Sequence, residues 1–81
     1  MKKTLAERYK DVKPVGVYPI SNWGGLVILE IEDGGEYAVS AFDWGEGIQN
    51  VRSTRIMYSD SGRPHIRRYG VNYYFDQIMR V

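Results

Sequence analysis

The residues best suited to acid–base chemistry lie late in the chain. His65 is the only histidine. A lone histidine acts as a general base when a nucleophile and an orienting acid stand beside it. Ser59, Asp60, Ser61 and Asp76 are the nearby side chains of those types. Their presence in the sequence does not by itself make a triad. Just after Pro64 and close to a turn, His65 reads as a surface strand residue. Asp43 and Glu46 flank Trp44-Gly45, a carboxyl pair beside an aromatic ring. Glycosidases use carboxyl pairs about 5–10 Å apart. However, acids and glycines are also ordinary turn residues. The nine glycines form neither a Walker loop nor a dinucleotide fingerprint and read as the punctuation of tight turns. With one histidine and no cysteine, no metal-ligand spacing is recognisable and no cofactor is expected. The expectation is a protein that is not an enzyme.

Chemistry of recognition is better represented. Residues 54–80 hold four of the seven tyrosines, five of the seven arginines and the histidine. Arg55, Arg63, Arg67, Arg68, Tyr69, Tyr73 and Tyr74 are candidates to follow phosphates and stack bases, as small barrels do on single strands. Residues 21–51 are the opposite, with six acids and no lysine or arginine. Glu30, Glu32, Asp33, Glu36, Asp43 and Glu46, together with Trp44, are candidates for a surface that docks on a basic protein groove. The same acids would also serve as cross-strand partners for Arg52, Arg55, Arg67 or Arg68. The net charge of +1 therefore conceals blocks of about +3, −6 and +4 along the chain.

The elements that position these residues are short. Thr4-Leu5-Ala6-Glu7 has the form of a capping box. Leu5, Tyr9 and Val12 follow on one face, and Pro14 ends the pattern, which predicts a helix from Leu5 to about Val12. Val15 to Tyr18 reads as a strand whose Pro19 marks an edge or an end. Leu26 to Glu32 is the clearest strand, apolar on both faces at first and then alternating. Asp33-Gly34-Gly35-Glu36 supplies the positive φ values of a tight turn, and Tyr37 to Trp44 returns. Strands are expected again at Arg52–Tyr58, Pro64–Tyr69 and Tyr73–Phe75, with Ile48–Val51 either strand or loop. Asp76 is expected to cap a last helical turn, Gln77–Arg80.

Together these predict one domain, residues 1–81, of α+β class and mostly β. A short N-terminal helix packs on a strongly bent antiparallel sheet, or a small open barrel, of five or six strands. No apolar run reaches the roughly 18–20 residues of a membrane helix. The absence of cysteine and of a signal-peptide pattern fits the cytoplasm.

Tyr58, Gly62-Arg63-Pro64, Arg68-Tyr69-Gly70, Tyr73-Tyr74-Phe75-Asp76 and Met79-Arg80 span about a third of the chain. Over that stretch the sequence resembles small uncharacterised proteins of phages and integrative mobile elements of Gram-positive bacteria. The resemblance implies a non-enzymatic accessory protein, of the kind that sometimes inhibits host defences such as CRISPR nucleases by binding them. It assigns no residue a role. The leading expectation is therefore an interaction module that binds an unidentified protein, such as a nucleic-acid-processing enzyme, through the acidic hairpin. The alternative is a nucleic-acid-binding module using the basic, aromatic hairpin.

Overall fold

A computed structural model describes residues 4–81. Helix α1 (Leu5–Tyr9) is followed by strands β1 (Gly16–Ser21), β2 (Gly24–Ile31), β3 (Tyr37–Asp43), β4 (Ile48–Arg55), β5 (Met57–Tyr58), β6 (Pro64–Arg68), β7 (Val71–Tyr74) and β8 (Met79–Arg80). A bent antiparallel sheet of five strands has the order β4-β3-β2-β1-β8, and a smaller sheet has the order β5-β6-β7. The fold is mostly β with one short helix, as expected, and the sheets do not close into a barrel.

Both faces of the large sheet are covered, which explains the unbroken apolar run of β2. Leu26 and Ile28 join Ala38, Phe42, Ile56, Ile66 and Tyr73 in a core between the two sheets. Val27 and Leu29 join Val39, Ala41 and Tyr9 in a second core beneath α1. A register shift between Ile28 and Glu30 bends the β2–β3 ladder. Strands buried on both faces lose the simple alternation of half-exposed ones.

The capping box forms, with the Glu7 amide donating to Thr4 Oγ1 at 3.2 Å and the Thr4 amide to Glu7 Oε1 at 3.5 Å. The helix then stops at Tyr9, short of the expected Val12. The Val12 amide bonds the Tyr9 carbonyl in a tightened turn, leaving Val12 exposed. Strand β1 runs through Pro19 to Ser21. Beyond Val17 no strand pairs with its outer side, so the missing donor of Pro19 costs little there.

Three further expectations are corrected. The last residues do not form a helical turn capped by Asp76. A single 3-10 turn, Phe75–Gln77, has no side-chain cap, and Met79–Arg80 pairs with β1 instead. His65 is buried, at 5% exposure, not on the surface. Its Nδ1 lies 3.2 Å from the Arg63 carbonyl and its ring packs 4.9 Å from that of Tyr74. Nor do turns account for all the glycines. A Cβ on Gly24 would sit 2.0 Å from the Asp43 carbonyl oxygen, and one on Gly25 2.2 Å from that of Tyr18. These two glycines are needed for close strand approach.

Candidate functional site

The site begins with a defect in the β3–β4 ladder. Between Ser40/Arg52 and Phe42/Gln49 the register slips, and Asn50 adopts φ 55°. Asparagine tolerates this left-handed conformation better than most side chains. Its carbonyl accepts a hydrogen bond from Arg68 Nη2 at 2.6 Å. The other arm of the same guanidinium, Nη1, donates to the Ser40 hydroxyl at 2.8 Å and the Ser40 carbonyl at 3.2 Å. Arg68 is 3% exposed, and burial holds its pKa below the ordinary guanidinium value. It also lies 5.1 Å from the Phe42 ring centroid. The planar fork of arginine lets one side chain satisfy acceptors on two strands at once. Arg68 is thus a strut between the small sheet and the large one.

That strut brings β6 alongside β4, and a groove of about 340 Å³ opens between them. Arg52, Ser53, Thr54 and Arg55 line it from β4; Arg67, Arg68 and Tyr69 line it from β6 and the turn that follows. Four of the seven lining residues are arginines and none is acidic. Arg52, Arg55 and Arg67 are exposed, and the Thr54 hydroxyl is buried without a protein partner.

The groove runs to an aromatic corner. Residues Tyr69 and Gly70 form the two-residue turn between β6 and β7, so Val71 and Asn72, which lie outside the expected strands, belong to β7. Both have positive φ, 51° and 77°. Tyr69 is 73% exposed, with its ring 5.7 Å from that of Phe42. Trp44 stacks on Phe42 at 5.9 Å and is 37% exposed. Phe42 therefore underlies both rings.

Comparison of the chain with protein-family models, with curated proteins and with solved structures finds no match in any of the three. The geometry has to be read by itself.

The seven candidate basic and aromatic residues fall into three groups. Arg55, Arg67, Arg68 and Tyr69 meet at the groove. Tyr73 is core: it is 6% exposed, edge-on to Tyr18 at 5.0 Å, and burial raises the pKa of its hydroxyl. Arg63 and Tyr74 form a separate clasp. The Arg63 guanidinium donates twice to Asp76, at 2.8 and 2.9 Å, and sits 4.0 Å above the Tyr74 ring.

The acidic candidates are also divided. Asp43 ends β3 and Glu46 lies in the turn that follows, where Asp43 Oδ1 accepts from the Gly45 amide at 2.8 Å. Glu30, Glu32 and Glu36 cluster around the other end of β3, near the 3-10 turn Asp33–Gly35. Strand geometry separates the two ends by about 20 Å. Glu30 accepts from the Tyr9 hydroxyl at 2.9 Å and Glu32 from the Ser53 hydroxyl at 2.6 Å. Among the described residues, the expected pairing of these acids with arginines does not form. Among the described residues the ion pair is Arg63–Asp76. Trp44, grouped with the acids by sequence, stacks instead at the aromatic corner.

Arg52 was foreseen only as a partner for acids, yet it lines the groove. The signal for it was present: Arg52 and Thr54 alternate with Ser53 and Arg55, which puts two basic residues on opposite faces of β4. Pairing with β3 is regular from Arg52 to Arg55, and that both line one groove has no counterpart in the residue pattern.

Proposed function

We propose that this protein is a non-enzymatic module that binds nucleic acid along the groove between β4 and β6. The observation that carries this reading is the convergence of the exposed Arg52, Arg55 and Arg67 on a lining without a carboxylate. Exposed guanidiniums recognise phosphate with paired, charge-assisted hydrogen bonds. Tyr69 and Trp44 extend the cationic track with exposed ring area. The lack of cysteine suits a reducing compartment, and a cytoplasmic location is part of the proposal. No helix among the described residues is long and apolar enough to cross a membrane.

Arg52→Glu and Arg67→Glu test it in a fluorescence anisotropy titration with labelled oligonucleotides at several salt concentrations. Wild type should bind at low salt and weaken steeply as salt rises. Each reversal should lower affinity by about tenfold or more and flatten the salt slope, since each removes a phosphate contact and adds a repulsion. Absence of wild-type binding at micromolar protein and low salt would sink the proposal.

A second reading is favoured by the other end of β3. Glu30, Glu32 and Glu36 pair with no described cation, which suits a surface that docks on a basic protein. On this reading the chain is a mobile-element accessory protein that inhibits a host nucleic-acid-processing enzyme. Glu32→Lys, Asp33→Lys and Glu36→Lys together should abolish capture of that enzyme from bacterial lysate. Equal capture by wild type and the triple variant would exclude it.

A further inference from the structure

The turn between β6 and β7 holds a residue that backbone chemistry disfavours. A two-residue turn with both φ values positive is the form that best matches strand twist, and its first position selects asparagine, aspartate or glycine. Here that position is Tyr69, at φ 51°. A bulky L residue in the left-handed region is strained relative to those choices. Core packing does not repay this cost, because Tyr69 is 73% exposed. The ring contacts Phe42 along part of one side and lies 5.7 Å from the Arg68 guanidinium, which orients it while leaving most of its surface open. It stands at the end of the arginine-lined groove.

We infer that Tyr69 is a stacking platform for an unpaired base, so that the groove selects single strands over duplex. This inference rests on the nucleic-acid reading above. A phosphodiester chain lying along Arg52, Arg55 and Arg67 carries its bases to the side, and the base that reaches the turn meets the open face of Tyr69. In a duplex the bases are stacked on each other and their faces are closed, so the platform has nothing to receive. Stacking is tolerant of sequence, because every base has a π face. The site therefore recognises an unpaired strand with little preference among bases.

Tyr69→Asn separates the two roles, since asparagine suits the turn better than tyrosine and has no ring. The probes are a labelled oligothymidylate of about fifteen nucleotides and a duplex of the same length. Wild type should bind the single strand about tenfold more tightly than the duplex. Y69N should weaken single-strand binding by about tenfold and duplex binding by much less, about twofold at most, with a melting temperature equal to or above that of wild type. Tyr69→Phe should bind as wild type. Single-strand affinity of Y69N within about twofold of wild type, or equal wild-type affinity for the two probes, overturns the inference while leaving the nucleic-acid reading standing. Failure of wild type to bind either probe at low salt removes both.

Discussion

At the scale of single residues, Arg68 decides how the two sheets meet. It is a buried cation whose partners are carbonyls and a hydroxyl, not a carboxylate. Exchange of a buried ion pair for apolar groups is often tolerated. Exchange of Arg68 alone is different, because it strands the Ser40 and Asn50 acceptors without donors. Arg68→Met should therefore cost about 2–4 kcal/mol in a urea denaturation experiment. Arg68→Lys should fall between the two, since an ammonium keeps the charge but cannot span both strands. A methionine variant as stable as wild type would show that water replaces the lost donors. The sequence marks Arg68 only as one basic residue among several in a tyrosine-rich stretch. Its burial follows from a contact 28 positions away with Ser40, and nothing local in the chain encodes that separation. The burial of His65 is equally invisible locally: the turn nearby predicts exposure, but its ring packs against Tyr74 on the neighbouring strand.

Among the elements, the clearest in sequence were those set by local chemistry. The capping box of α1, the apolar run of β2 and the glycine turn before β3 all stand where their residues place them. Elements set by distant partners were less legible. Met79 and Arg80 become a strand because β1 offers them an edge. Gly16 makes this possible, since a Cβ there would lie 2.5 Å from Ile78 Cγ2. Asp76 was expected to cap a helix and instead ties the 3-10 turn Phe75–Gln77 to the start of β6. The bidentate contact with Arg63 holds the Asp76 pKa below the usual carboxylate range. A depressed carboxylate pKa stabilises the fold above the unfolded pKa, near 4, and the contribution disappears as pH falls through the folded value. Asp76→Asn should thus lower the melting temperature at neutral pH. The difference from wild type should shrink below about pH 4 and vanish in stronger acid. A gap that stays constant into acid would mean that Asp76 stabilises the turn without its charge.

For the whole molecule, the alternation of charge along the chain becomes a spatial arrangement. The acids occupy the central hairpin β2–β3 and the turn that follows it. The groove arginines occupy the flanking strand β4 and the small sheet. The blocks were plain in sequence, as was the supply of aromatic and cationic side chains for binding. Their sorting was not. The acidic set divides because a strand holds its two ends apart, and the basic set divides because part of it becomes core and part a clasp. Only folding selects which arginines share a surface.

Strand β4 is also an outer edge of the large sheet. A long edge strand invites pairing with another chain, and cells suppress this with bulges and charge. Here the slip at Asn50 breaks the straight run of the edge, Arg68 occupies the Asn50 carbonyl, and Arg52 and Arg55 place cations along the rest. The residues proposed to bind nucleic acid therefore also guard this edge. On the nucleic-acid reading, relaxing that surface towards neutral side chains both weakens ligand binding and opens the edge to self-association, so the arginines of β4 are constrained twice over.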